Sequence, residues 1–431
     1  MYCNQCKHAQ RGGCKVVGVC GKNEEISSLQ DLIINALKGV SAYATHARQL
    51  GSYDEEVNRI THEALYMTLT NSNFDLNEHL EMAIEVGSAA VLVMDMLDKA
   101  HTAHFGIPEP ITVTQNKIEG HSIVVTGHNL YALEELLKQT EGTGINVYTH
   151  SEMLPAHGYP ALKRYPHLKG NVGKSWHDQR RLFEEFPGAI LATTNCVMQI
   201  RGTYGYRFFT YDVVGMDDVA KIENDDFSPL IRTALALPKA EVSSDLTLST
   251  GFHHQTVIDF LPQLVDAVRS GKIKRFFVIA GCDSPGPGGN YYRELAESLP
   301  DDTVILTTSC GKFRFNDLEF GTIDGTIPRY IDLGQCNNSI SVVKIVLALS
   351  DALRIPVEQL PVSIVLSWFE QKAIAILLGL FSLGIQDIRI GPKPPEFISA
   401  GVLKVLQETF GLKMITTAEE DLIEMLPMVA H

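Results

Sequence analysis

The sequence predicts a multidomain α and α/β protein, with an N-terminal three-helix bundle followed by two Rossmann-like parallel α/β domains. Three observations predict it. The chain has 431 residues, more than one ordinary hydrophobic core accommodates. Its early part carries long helical periodicities. Beyond residue 110, short apolar runs alternate with helical stretches, the pattern of parallel strands covered on both faces by crossover helices.

The first helix is predicted over about 27–50, where Leu29, Ile33, Leu37, Val40 and Ala44 recur at helical spacing and Gly51 provides a stop. Val57, Ile60, Ala64 and Met67 repeat the pattern over 54–70, and a third helix over 75–104 ends at Gly106, Pro108 and Pro110. The short turns between them require antiparallel neighbours. Strands are then expected at 122–126, 145–149, 189–193, 276–280, 303–308, 329–333, 363–366 and 387–390, and helices at 130–139, 339–349 and 371–381. Domains at 1–110, 111–254 and 255–431 fit this order, with the second boundary placed within 249–256.

Composition narrows the function. Lys plus Arg total 36 against 51 for Asp plus Glu, a net charge of −15, and no basic stripe interleaved with aromatics is present, so no nucleic-acid partner is expected. The longest apolar stretch, 373–385, is broken by Gly379, Ser382 and Gly384 and is shorter than the roughly 20 residues of a spanning helix. It reads as a buried helix, and no membrane partner is expected. The start has neither a basic nor an apolar leader region, which predicts a cytoplasmic location. In that reducing compartment the eight cysteines are expected as metal ligands rather than disulfides.

Cys3, Cys6, Cys14 and Cys20 form C-x2-C-x7-C-x5-C, with Gly12, Gly13, Gly18 and Gly21 allowing a tight backbone around a buried object. Structural zinc sites usually use two close pairs, and here only the first pair is close. The spacing favours a 4Fe–4S cluster, with zinc as the competing occupant.

The other four cysteines each end a predicted strand: Cys196, Cys282, Cys310 and Cys336. Three more strand ends carry His128, Glu152, and Glu370 followed by Lys372. Sites in open parallel sheets form at the carboxyl ends of strands, so these positions can converge. Any one buried cysteine is more often a small hydrophobe than a ligand; the repetition is what favours a site. Thiolates with imidazole and carboxylates suit iron in an asymmetric cluster bridged by both sulfide and oxygen. The thiolates would hold the soft side, and His128, Glu152 and Glu370 a harder iron with an open position. Lys372 is expected either to offset cluster charge and donate a proton or to pair with Glu370.

These residues resemble a known family, the hybrid-cluster (prismane) proteins, also called hydroxylamine reductases. The similarity runs through the opening cysteines, THSEMLPAHGYP (149–160), TTNC ending at Cys196, GCD (281–283), SCGKFRFN (309–316), GQCN (334–337) and SWFEQKA (367–373). It implies a 4Fe–4S cubane on Cys3, Cys6, Cys14 and Cys20. It also implies a 4Fe–2S–2O hybrid cluster lined by His128, Glu152, Cys196, Cys282, Cys310, Cys336, Glu370 and Lys372, with Cys282 as a persulfide. The chain resembles a short form without the second helical bundle of longer members, which leaves the oligomeric state open. The loop after Cys282, Ser284 to Gly289, is less basic than expected of long forms and reads as a stiff turn into a helix.

The implied activity is reduction of hydroxylamine to ammonia and water with two electrons and two protons at an open iron. Electrons would come from a small donor protein through the N-terminal cluster. Glu152, Cys282, Glu370, His128 and Lys372 are the expected catalytic residues. Two other readings share the chemistry: reduction of nitric oxide in nitrosative-stress defence, and a non-enzymatic redox sensor or S-nitrosylating protein acting through Cys282.

Overall fold

A computed structural model describes residues 3–9, 11–241, 246–367 and 370–426; Trp368 and Phe369 of the SWFEQKA motif lie outside the described residues. The bundle consists of α1 (Glu24–Gln49), α2 (Glu55–Met67) and α3 (Leu76–Phe105). Each start is fixed by a capping side chain: Asn23 accepts from the Ile26 N–H, Asp54 from Glu56 and Val57, and Asp75 from Asn77 and Glu78. Such caps satisfy orphan donors of the first turn, each worth about 1 kcal/mol.

Two six-stranded parallel sheets follow. The first comprises β1 (Ser122–Thr126), β2 (Asn146–Thr149), β3 (Leu168–Asn171), β4 (Ala189–Ala192), β5 (Phe208–Thr210) and β6 (Ala220–Lys221), in the spatial order β3-β2-β1-β4-β5-β6. The second comprises β7 (Arg275–Gly281), β8 (Thr303–Thr307), β9 (Tyr330–Asp332), β10 (Val362–Ser367), β11 (Arg389–Gly391) and β12 (Lys413–Met414), ordered β9-β8-β7-β10-β11-β12. Both have the order of the doubly wound dinucleotide-binding fold, so each reverses direction once, beside its first strand. The crevices above those reversals, between β1 and β4 and between β7 and β10, are where such sheets place ligands. An antiparallel pairing of Ile111–Thr114 with Thr247–Thr250 ties together the chain entering and leaving the first sheet.

The crossover helices include α4 (Leu130–Thr140), α5 (Asn290–Ser298), which follows a short turn at Pro287–Gly289, α6 (Ser339–Leu353) and α7 (Gln371–Ser382). The 18 residues Cys336–Leu353 reach a mean hydropathy of 1.2, enough in length and composition for a membrane span, and 61% of them are buried inside the fold. Helix α7 is the predicted apolar helix, and it does more than cover the second sheet. It packs against α1 and α3, and one hydrophobic cluster runs from Ile33, Val40 and Val86 through Ile374 and Leu378 into Val278 and Leu306. Backbones approach closely there. A Cβ on Gly87 would lie 2.2 Å from the Leu378 carbonyl oxygen, and one on Gly39 would lie 2.8 Å from the Ala375 Cβ. Three helices predicted as a separate bundle thus accept a fourth from the far end of the chain.

Candidate metal centre

The seven strand-end residues come from three strands of the first sheet and four of the second. His128, Glu152 and Cys196 follow β1, β2 and β4; Cys282, Cys310, Cys336 and Glu370 follow β7, β8, β9 and β10. The chain leaves several of these strands by an unusual turn. Ser151, Cys196 and Ser309 hold φ of 52°, 65° and 67°, a left-handed conformation that costs a side-chain-bearing residue about 1–3 kcal/mol and persists where surrounding structure imposes it. At Gly281 the φ of 98° is combined with crowding, since a Cβ would lie 2.3 Å from the Ser367 carbonyl oxygen. The glycine lets β7 and β10 touch beside Cys282.

The two sets meet in one buried place. His128 Nε2 lies 3.6 Å from Glu152 Oε2, and the Cys336 N–H donates to that same oxygen at 2.8 Å. One ligand atom each from His128, Glu152 and Cys336 lie within 4.8 Å of one another. Gln335 Nε2 donates to the backbone carbonyls of His128, at 3.1 Å, and Glu152, at 2.8 Å, fixing one sheet's turns to the other's. Asn195 Nδ2 lies 3.1 and 3.2 Å from the two Glu370 carboxylate oxygens and 3.3 Å from the Cys196 sulfur. Glu370 occupies the N-cap position of α7 without capping it; its carboxylate is turned to the site, and its backbone N–H to the Cys282 sulfur. Ser151 Oγ stands 3.2 Å from the Cys310 sulfur.

Electrostatics give the arrangement its character. All eight cysteines are free. Burial pushes the Cys196, Cys282 and Cys310 thiols well above their usual range, with Glu370 adding to this at Cys196 and Cys282 and Glu152 at Cys310. Burial likewise pushes Cys336 up to about 12, against the opposing charge of Lys372. Burial raises Glu152 as well, partly offset by Lys312. His128 is driven well below its usual value by burial and by the nearby Lys372 and His46, so its ring is neutral. Burial works to lower Lys372, but Cys336, Cys196, Glu370 and Glu152 together outweigh it and raise the amine.

Several buried polar atoms are left over here, the Tyr43 hydroxyl among them. Glu152 Oε1 and Lys372 Nζ are buried without a hydrogen-bond partner; Lys372 Nζ stands 5.5 Å from the Tyr43 ring centroid. A buried carboxylate oxygen without a partner costs roughly 1–3 kcal/mol. Four thiols, an imidazole and two carboxylates around such an oxygen fit a multi-iron cluster, which would deprotonate the thiols outright.

The supporting residues were not singled out from the sequence. His128 Nδ1 pairs with Thr194 Oγ1 at 2.7 Å; with Nδ1–H donating, Nε2 presents its lone pair to the site. Asp283, next to Cys282, accepts from Ser175 Oγ at 2.6 Å, His177 Nε2 at 2.7 Å and Arg314 Nε at 2.6 Å, linking the sheets again. Lys312 Nζ, fully buried, donates to Asp332 Oδ1 at 2.6 Å and to the Gly334 carbonyl at 2.8 Å, bracing the turns that carry Cys310 and Cys336. Thr194→Val is expected to lower turnover about ten- to a hundredfold with iron content unchanged; wild-type turnover in that variant would show that His128 needs no orienting partner.

The N-terminal motif lies apart. Cys3 and Cys14 are buried and paired by an antiparallel bridge, with N–H to carbonyl distances of 3.1 and 2.8 Å. Cys6 and Cys20 are half-exposed, and the Cys20 thiol faces the Thr70 carbonyl at 3.7 Å, which seats the motif on the turn between α2 and α3. Four free thiols on a glycine-rich loop, two of them half-exposed, fit a metal cluster.

A family model described as Prismane/CO dehydrogenase family matches residues 1–83 and 54–423. A hydroxylamine reductase of Moorella thermoacetica is 56% identical over 427 residues, covering 99% of this chain and all of that one. A second, from Methanothermobacter thermautotrophicus, is 48% identical over the same length and coverage. Among solved structures, a nickel-free carbon monoxide dehydrogenase from Thermococcus sp. AM4 matches 99% of this chain and 90% of its own with a TM-score of 0.79. At 18% identity that likeness establishes the fold alone.

Proposed function

The chain belongs to the prismane/CO dehydrogenase family, and from that premise we propose that it is an iron–sulfur hydroxylamine reductase, converting hydroxylamine, two electrons and two protons into ammonia and water. The observation that carries this is the convergence of seven ligand-type side chains from two sheets on a buried spot where Glu152 Oε1 and Lys372 Nζ lack partners. The full-length relatives named hydroxylamine reductase support the substrate. In this proposal Cys196, Cys282, Cys310, Cys336, His128, Glu152 and Glu370 hold a hybrid 4Fe–2S–2O cluster, with Cys282 as a persulfide, and Cys3, Cys6, Cys14 and Cys20 hold a 4Fe–4S cluster. Such a centre supplies electrons and a Lewis-acidic iron when bound.

The protein's own groups do the rest. Lys372 Nζ, faced by the Glu370 and Glu152 carboxylates and by the thiols that a bound cluster would ionise, holds a proton beside the reacting N–O bond and steadies negative charge there. Asn195 orients Glu370 through both oxygens. Gln335 and Cys336 fix Glu152, so that one oxygen alone is free to exchange partners. Transfer of a modification from Cys282 to other proteins would need that thiol at the surface; at 7% exposed it is buried, which counts against a sensor.

The test is anaerobic purification followed by iron and sulfide analysis, EPR, and side-by-side turnover of hydroxylamine and nitric oxide with a chemical reductant. The expected result is about eight irons in two distinct centres, the sum of two four-iron clusters, with hydroxylamine the better substrate. Stoichiometric zinc would overturn the cofactor assignment, and faster nitric oxide turnover the substrate.

A further inference from the structure

A pocket of about 180 Å³ opens beside the metal centre, between α1 and the loop after β5. Its walls are Lys38, Ala42 and Thr45 on α1 and Val213 opposite; its floor is Thr194, Asn195 and Lys372. Lys38, Thr45 and Val213 are exposed, the last at 76%, so the outer end meets solvent. Each floor residue acts directly on a candidate ligand: Thr194 on His128, Asn195 on Glu370 and Cys196, and Lys372 on Cys336 and Glu370. Described residues that line the pocket therefore also hold or face the candidate ligands. A larger hollow, about 700 Å³ beside the start of α1, is lined by Glu24, Asp31 and Phe397 among others and includes no candidate ligand.

Size limits what the pocket admits. A water molecule occupies about 30 Å³ of liquid and a cavity of about 150 Å³ takes benzene, while pockets for drug-sized ligands run to roughly 300–1,000 Å³, so this one admits a molecule up to about the size of benzene. Its ends are polar: Lys38 and Asp212 lie toward solvent, and Thr194 and Asn195 offer a hydroxyl and an amide inside. We propose that this pocket is the entrance for small N–O substrates and that the Asn195 side chain is its inner gate. Asn195 is half-buried, and a rotamer change that releases Glu370 would open the floor. This rests on the reductase reading above.

The test uses anaerobically purified, iron-loaded protein with Ala42→Trp and Thr45→Trp, which narrow the walls without touching a candidate ligand, and Leu347→Trp on α6 as an exposed control. Turnover is measured with hydroxylamine and N-methylhydroxylamine. Freeze-quench EPR follows the onset of the spectral change when hydroxylamine or nitric oxide is added. The expected result is that wild type turns over both compounds. Ala42→Trp lowers kcat/KM for hydroxylamine about tenfold or more, and more for N-methylhydroxylamine. It delays the EPR response by a like factor, while iron content, the resting spectrum and Leu347→Trp are unaffected. Both narrowing variants responding at the wild-type rate would overturn the entrance. If wild type turns over no hydroxylamine, yet nitric oxide perturbs its EPR and Ala42→Trp slows that change, the substrate reading falls and the entrance stands.

Discussion

Glu152→Gln is expected to lower hydroxylamine turnover by about two to four orders of magnitude while the N-terminal motif keeps its iron. The carboxylate has two distinct oxygens: Oε2 accepts from the Cys336 N–H at 2.8 Å, and Oε1 is buried with no partner. An amide must keep its oxygen on Cys336, because its NH2 would set donor against donor there. The NH2 then occupies the place of Oε1 and presents protons where a lone pair is needed. Stability should not suffer, since burial already raises the Glu152 carboxyl and a neutral amide avoids burying a charge. Iron content, EPR and the thermal midpoint measured together separate loss of a ligand from misfolding. Undiminished turnover with full iron would remove Glu152 from the chemistry.

Gly87→Val is expected to destabilise the fold by about 3 kcal/mol, the upper range for overpacking a filled core, and Gly87→Ala gives the sharper test because two effects oppose. Helix propensity alone would make alanine better than glycine by about 1 kcal/mol within α3. The added Cβ, however, would lie 2.2 Å from the Leu378 carbonyl oxygen and 2.5 Å from its carbon, both backbone atoms that yield only if α7 moves. The overlap should win, and the thermal midpoint should fall. Because Glu370 and Lys372 lie at the start of α7, a shift of even 1 Å there could cost about a hundredfold in rate. A raised midpoint in Gly87→Ala would mean that the two helices are not in backbone contact.

Much of this was legible in the sequence, and the remainder was not for identifiable reasons. The strands expected at 122–126, 276–280 and 303–308 appear as β1, β7 and β8 within one or two residues, because each is a continuous apolar run bounded by turn residues. β3, β5, β6 and β12 were not foreseen; they are two to four residues long, too short to establish a period, and β6 is exposed on both faces. Helix α7 was foreseen as buried, but its seat between α1 and α3 depends on Gly39 and Gly87, which look like helix defects until the partner backbone is known. In the site, ligand-type residues at strand ends were readable one by one. Thr194, Asn195, Gln335 and Asp283 adjoin them in sequence and were passed over, since their partners lie on distant strands. The one available signal was a polar side chain at the end of an otherwise apolar run.

That distance in sequence has a consequence for when each centre can be built. Glu152 meets Cys336 across 184 positions, Asn195 meets Glu370 across 175, and Gln335 meets His128 across 207. Contacts of this range close late in folding, since the chain entropy of large loops must be overcome first. The motif from Cys3 to Cys20 is local in sequence and is synthesised well before Glu370. At synthesis rates of about 5–20 residues per second it precedes Glu370 by tens of seconds. The first set of cysteines is therefore available to a metal on a nascent chain, whereas the second exists only once both sheets have folded and met. On the two-cluster proposal, limiting iron is expected to leave chains filled at the first site and empty at the second, which EPR would read as loss of one centre's signal before the other's.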